Sequence, residues 1–359
     1  AKLDQLKQDE RSRYAQQLAD AESQYQQRRA DLEQRLADGL KATEAPTASK
    51  HHTGAASPRD WNDPTWQSWQ PTREFAPSVV LGEVAVDLPA IANTVDRETP
   101  LRIELPPPFH VPVVLAFPRQ ASLLIETDRT HRARAIELLQ MSMIRLLTSL
   151  PPGRVKFTIL DPVGLGQNFA GFMHLADYDE SLVGGRIWTD TDQIEQKLAN
   201  LTDHMETVIQ KYLRNEFETI DDYNAQAGEL AEPYRFLVIA DFPVGFTDES
   251  ARRLASIVAS GPRCGVYTLI ACDPRQQIPQ GLHLEDIEHN SLVIAQDGEK
   301  LKWKDPVFER FPLSLDAAPG EDFLTTVLHK VGRGAREANC VVVPFESCAP
   351  DTEEFWSRS

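Results

Sequence analysis

Between residues 119 and 316 the chain alternates short apolar runs with longer stretches of mixed polarity. The runs at 121–125, 155–160, 236–240, 266–271 and 291–294 are rich in Val, Ile, Leu and Phe, with few charges. Such continuous runs predict strands buried on both faces. The stretches at about 133–150, 191–215 and 248–260 place apolar residues at helical spacing and predict amphipathic helices. Apolar strands separated by such helices define an α/β class: a parallel sheet with helices on both faces. A helix at about 321–331 and a strand at 340–344 close the pattern.

The flanking segments read differently. Residues 1–42 lack proline, hold one glycine (Gly39), and are rich in good helix formers. Tyr14, Leu18, Ala21, Tyr25 and Leu32 trace a heptad-like seam that Arg28 and Arg35 interrupt. A self-associating coiled coil and an arm docked on a body fit this long helix equally. Residues 43–78 read as a proline-rich linker. Its Trp61, Trp66, Trp69 and Phe75 are expected to anchor it on the parent fold. Residues 79–118 form a small β annex, with strands expected at 79–87 and 101–105 and Pro106, Pro107 and Pro108 breaking the second. The domain division is therefore 1–42, 43–78, 79–118, 119–316 and 317–359, the last leading toward a following domain. The chain opens inside a helical pattern and stops at Phe355-Trp356-Ser357-Arg358-Ser359, which suggests a piece of a longer polypeptide.

Composition narrows the partners. A net charge of −17 repels nucleic acid, so DNA contact is expected through other domains. The four cysteines, Cys264, Cys272, Cys340 and Cys348, show no C-x-x-C spacing. They read as reduced thiols in a cytoplasmic protein. No apolar run approaches the length of a membrane span.

The chemistry belongs at the carboxyl ends of the strands. The strand at 236–240 delivers Asp241 there, the position of an acid that helps hold Mg²⁺ in nucleotide-hydrolysing sheets. A glutamate to orient the attacking water should follow, but Phe242 stands there. A phosphate loop should follow the strand at 121–125, with glycines, a lysine and a Ser/Thr hydroxyl. Residues 126–134 offer neither glycine nor lysine, and Glu126 and Asp128 place negative charge where phosphate would sit. Arg129, Arg132 and Arg134, at the start of the next helix, are the remaining anion-binding candidates beside a plain solvated loop. Gly164-Leu165-Gly166 is a lone G-x-G, best read as a tight loop, and Gly184-Gly185 as a turn. His174, His204 and His283 show no metal-ligand spacing.

Several landmarks, in order, resemble the FtsK/SpoIIIE family of RecA-like motor domains. They are the strand ending in Asp161-Pro162, the later Met173-His174-Leu175, the helix through Leu201-Thr202-Asp203-His204-Met205-Glu206, and Asp222-Tyr223-Asn224. The strand ending in Asp241 and the segment Gly265 to Asp273 complete the set. The resemblance covers about residues 119–296. It implies a RecA-like P-loop-type sheet and a nucleotide site whose remnant is Asp241, Arg129, Arg132, Arg134 and Asp273. Asp273 stands where active members carry a sensor-like glutamine. Asp241 would hold Mg²⁺ only if nucleotide binds.

These departures imply a catalytically degenerate domain, a structural or regulatory layer of a larger ATP-driven DNA translocase. ATP and Mg²⁺ would be used elsewhere in the full-length protein. Its partners are then other domains of that protein, with the N-terminal helix an arm for self-association or for connection to other parts. The alternatives are a divergent active ATPase using the arginines, and a coupling module of a protein secretion machine.

Overall fold

The computed structural model describes residues 16, 27, 60–88 and 107–339. Gln16 and Gln27 are helical, but the rest of the 1–42 helix, the 101–105 strand and the 340–344 strand lie outside the described residues. The chain divides into two compact units, 1–55 and 56–359, and everything below concerns the second.

A six-stranded sheet forms its centre. In chain order its strands are β3 (Leu123–Glu126), β4 (Val155–Leu160), β5 (Tyr234–Phe242), β6 (Val266–Cys272), β7 (Leu292–Asp297) and β8 (Lys300–Trp303). Across the sheet the order is β4-β5-β6-β3-β7-β8, parallel except for the β7–β8 hairpin. This is the order of a RecA-like P-loop-type sheet. All seven residues of β6 are buried, as a central parallel strand requires. Each fully buried aliphatic side chain there contributes about 1.5–3 kcal/mol.

Connection handedness sets the layers. The path from β3 to β4 runs one way across the sheet, and the paths β4 to β5, β5 to β6 and β6 to β7 run the other. Right-handed crossovers therefore place α1 (Arg132–Ser149) on one face. The helices α2 (Thr191–Thr207), α3 (Ile220–Ala227), α4 (Asp248–Ser260) and α5 (Leu284–His289) belong to the opposite crossovers. The closing helix α6 (Glu321–Asn339) packs against α1. Capping boxes start α3, from Thr219 and Asp222, and α4, from Thr247 and Ser250. The helix expected at 191–215 ends as a turn of π-helix, Val208–Leu213, stopped by left-handed Arg214 and Asn215.

Beside this lies a three-stranded antiparallel annex in the order β2-β1-β9, made of β1 (Ser78–Val86), β2 (Phe109–Ala116) and β9 (Leu313–Leu315). The ladder explains two residues. Ala85 donates its N–H to Pro312 O (3.0 Å), and Leu81 O accepts from Asp316 N (2.9 Å), so Leu81, Glu83 and Ala85 face β9. Pro112, opposite Glu83, then turns its donor-less nitrogen to the open edge, where proline is tolerated. Gly82 is needed for contact: a Cβ there would sit 2.4 Å from the Ser314 carbonyl oxygen.

The tryptophans of the 43–78 segment are buried, as expected. Trp66 lies 5.2 Å from the Trp61 ring and 5.3 Å from Trp69, and Phe323 of α6 meets it edge-on at 5.2 Å. Trp61 Nε1 donates to Ala317 O at 2.6 Å, and the Arg145 guanidinium stacks 3.8 Å from the Trp61 ring centre. Arg145 and Asp316 form an ion pair at 2.7 Å, with side chains only 3% and 5% exposed.

Candidate functional site

The ends of β3, β5 and β6 converge, and the loop after β3 meets them. Thr127 N donates to Cys272 O (3.0 Å), tying that loop to the end of β6. Asp128 N donates to Gln296 Oε1 at 2.8 Å. The Asp128 carboxylate then turns back and accepts the N–H groups of Thr130 (2.9 Å) and His131 (3.1 Å). It caps the short turn Arg129–His131 that leads into α1. Hydrogen bonds from the Thr130 hydroxyl and from His131 hold its carboxyl well below the usual carboxylate range. His131 also reaches Glu299, with Nε2 3.3 Å from Oε2. Asp128 first, and Glu299 second, raise the imidazole pKa.

Arg132 is the first residue of α1. Its Nη2 donates to Asp241 Oδ2 at 2.7 Å while Nε donates to Oδ1, a bidentate clasp. The same Nη2 lies 4.0 Å from Asp161 Oδ1. These bonds to Asp241 raise the guanidinium pKa further. Asp241 has a left-handed backbone, φ 62°, and its side chain is 11% exposed. Asp161 is fully buried and its carboxylate accepts from Gly164 N (2.9 Å), Gly166 N (3.1 Å) and Asn168 Nδ2 (3.0 and 3.1 Å). The G-x-G segment is thus a tight loop wound on an aspartate. It leaves Leu165 exposed with φ 50°.

The other expected residues take separate places. Asp273 accepts from Arg275 Nε (2.9 Å) and Nη2 (3.1 Å), which lowers its pKa. Arg134 donates to Glu299 O at 3.0 Å, away from Asp241. Arg129 is exposed at the rim of the cleft. The structure therefore joins Arg132 with Asp241 but does not gather the three arginines around one point. The sequence reading missed Asp161 as an anchor, although the short polar side chain ahead of Gly164 and Gly166 suits such a turn. It also missed Lys304, which bridges Glu126 (3.1 Å) and Glu288 (3.0 Å). No local pattern marks that lysine. Burial pushes the Glu126 carboxyl up, against the pull of Lys304.

The loop after β3 does not have the form of a phosphate cradle. A phosphate cradle needs free N–H groups in alternating right- and left-handed backbone. None of residues 126–133 is left-handed, and the N–H groups of Thr127, Asp128, Thr130 and His131 are all bonded within the protein. The space between Thr127, Arg129, Arg132, Asp241 and Asp273 is about 30 Å³. That holds about one water, against the several hundred Å³ of a ligand pocket. Among the described residues no group of three or more His, Cys, Asp or Glu side chains is arranged to hold a metal.

The strand order is that of a RecA-like α/β sheet, and the cleft lies at the carboxyl ends of its strands, where such sheets bind ligands. No family model and no curated protein matches the chain. Among solved structures it is similar to EssC (ATPases 2 and 3) from Geobacillus thermodenitrificans, at 14% identity and TM-score 0.49, over 75% of this chain and 51% of that one. It is similar to the cytoplasmic domain of the Thermomonospora curvata type VII secretion ATPase EccC, at 17% identity and TM-score 0.48, over 73% of this chain and 30% of that one. It is similar to the pCW3 conjugation coupling protein TcpA with ATPγS, at 11% identity and TM-score 0.48, over 73% of each chain. This chain thus spans about half of the first and under a third of the second. These likenesses concern the fold alone. Among the described residues no helix is long and apolar enough to cross a membrane.

Proposed function

We propose that this chain is a catalytically degenerate FtsK/SpoIIIE-like domain, a structural or regulatory layer of a larger cytoplasmic ATP-driven assembly. Hydrolysis is then the work of another domain of the same protein. One observation carries the reading: the loop N–H groups are bonded to Gln296 and Asp128, and the acid that would serve Mg²⁺-ATP, Asp241, is bonded to Arg132. Core burial does not depend on phosphate, so the sheet persists as a scaffold without it. The residue after Asp241 is Phe242, buried in the core, and supplies no base. Calorimetric titration of the chain with Mg²⁺-ATP, together with a phosphate-release assay, tests this. Neither binding nor turnover is expected. Tight Mg²⁺-dependent binding that disappears in Asp241→Ala overturns the reading in favour of a divergent ATPase.

The charge balance bears on cargo. With a net charge of −17 this layer repels DNA and suits a machine that moves protein, or one whose DNA contacts lie in other domains. Fluorescence anisotropy with duplex DNA at physiological salt is expected to show no binding. Salt-sensitive binding under those conditions refutes the charge argument.

A further inference from the structure

We infer that the groove between β9 and α1 takes up a short extended segment of another polypeptide, which pairs with β9 as a fourth annex strand. This is independent of whether nucleotide binds at the sheet's carboxyl end. The groove encloses about 580 Å³, the size of a ligand pocket. Leu313, Leu315 and residues 316–319 form one wall, residues 134–140 of α1 contribute the other, and Leu301 of β8 also lines it.

Ladder parity fixes which main-chain groups face outward. Ala85 N donates to Pro312 O and Asp316 N to Leu81 O, so Pro312, Ser314 and Asp316 turn their main chain toward β1. Leu313 and Leu315 alternate with them and turn N–H and C=O away from β1. On that side the annex ends: its order is β2-β1-β9. Two donors and two acceptors along an open edge are a template for another main chain. The annex guards its two edges differently. On the β2 edge Pro112 removes a donor, whereas β9 is Leu-Ser-Leu, with neither proline nor charge. Leu313 and Leu315 share one face of their strand, and the groove beside them also meets Leu138 and Leu301, which are only 7% and 8% exposed. The occupant is therefore extended, apolar at alternate positions, and free of proline where it pairs. It is short, because β9 has three residues. A second copy of this chain fits less well, since two chains of net charge −17 repel each other.

The test uses the 359-residue chain and a panel of capped pentapeptides, Thr-Xaa-Thr-Xaa-Thr, with Val, Ile, Leu or Phe at both variable positions. Binding is read by calorimetry and by hydrogen exchange at Leu313 and Leu315. At least one peptide should bind at millimolar concentration and slow exchange at both amides. Each binder is remade with N-methyl groups on its Thr residues or on its variable residues. One set should weaken binding at least about tenfold and the other should not, because alternate amides face β9. Leu315→Pro removes an outward donor, as Pro112 does on the other edge, and should weaken binding to a similar degree. If that variant does not fold, the N-methyl series still decides. A panel without a binder overturns the inference, as does binding that both N-methyl sets leave unchanged, or that a folded Leu315→Pro retains in full. Amides of Leu313 and Leu315 already protected in the free chain overturn it too, because a segment of the chain itself then fills the edge. So does a dimer in sedimentation that Leu315→Pro dissolves, which would make the occupant a second copy.

Discussion

The Arg145–Asp316 pair offers a demanding check on how the unit is held together. Both side chains are almost fully buried, the ion pair is 2.7 Å long, and Arg145 also stacks on Trp61. It joins the middle of α1 to the segment after β9 and to the tryptophan cluster. Asp316→Ala leaves a guanidinium buried without its main partner, a change that costs about 3–5 kcal/mol. Arg145→Met leaves the carboxylate in the same position and also removes the cation–π contact, worth about 2 kcal/mol when desolvated. The double variant Arg145→Met with Asp316→Leu removes both charges and keeps the volume, so it is expected within about 2 kcal/mol of wild type, the cation–π contact alone, or above it. Urea unfolding followed by far-UV circular dichroism measures all three, and each kcal/mol should move Tm by about 2 °C in a unit this size. If both single variants lose less than about 1 kcal/mol, or the double loses as much as their sum, the pair is not the buried tie described.

Three further predictions follow from local geometry. Burial first, then Arg235 and Lys156, push His204 down to about 4 from 6.5, and Arg235 Nε donates to its Nε2 at 2.9 Å. The folded state therefore favours neutral imidazole, so stability is fully present above about pH 6.5 and declines as pH falls toward 4, by at most about 3 kcal/mol. His204→Gln should flatten that part of the profile, and an unchanged acid slope counts against the assignment. His131 shifts the opposite way, so its tie to Asp128 and Glu299 contributes below its unfolded pKa of 6.5 and fades as pH rises through the elevated folded value. Its NMR titration midpoint should exceed 6.5 and drop in Asp128→Asn; a wild-type midpoint at or below 6.5 contradicts the contact. Gly164→Ala would place a Cβ 2.0 Å from Asn168 Nδ2 and 2.6 Å from Asp161 Oδ2, so it should cost more than about 2 kcal/mol in chemical denaturation. Gly185→Ala, with φ 76° and open space around it, should cost only the left-handed penalty of about 1–2 kcal/mol; equal losses in the two would refute the anchored-loop account.

The central sheet was legible because its strands are buried on both faces and its helices are amphipathic. The runs at 155–160, 236–240 and 266–271 each appear as strands within a residue or two. The third annex strand was not legible: Leu313–Leu315 is short, and its partner Gly82 lies far away in sequence. The β7–β8 hairpin did carry a signal in Gly298-Glu299, a two-residue turn that opens on a glycine. Within the site, the missing glycines and lysine of residues 126–134 were visible as residue types. What filled the gap was not, because the Arg132–Asp241 contact joins positions 109 residues apart. Sequence could offer three arginines as equals; only packing singles out the one at the first position of α1.

The pairing of β1 with β9 has a consequence for how the molecule is made. Gly82 meets Leu315 across the ladder, and Trp61 is bonded to Ala317, so the start and end of the unit close on each other. A nascent chain holds an annex of two strands with an unpaired edge, and a half-covered tryptophan cluster, until residues 313–317 have left the ribosome. Closure of so long a loop is slow and leaves sticky surface exposed meanwhile. During synthesis, then, the annex rather than the central sheet is where this chain is most vulnerable to capture by chaperones or by copies of itself.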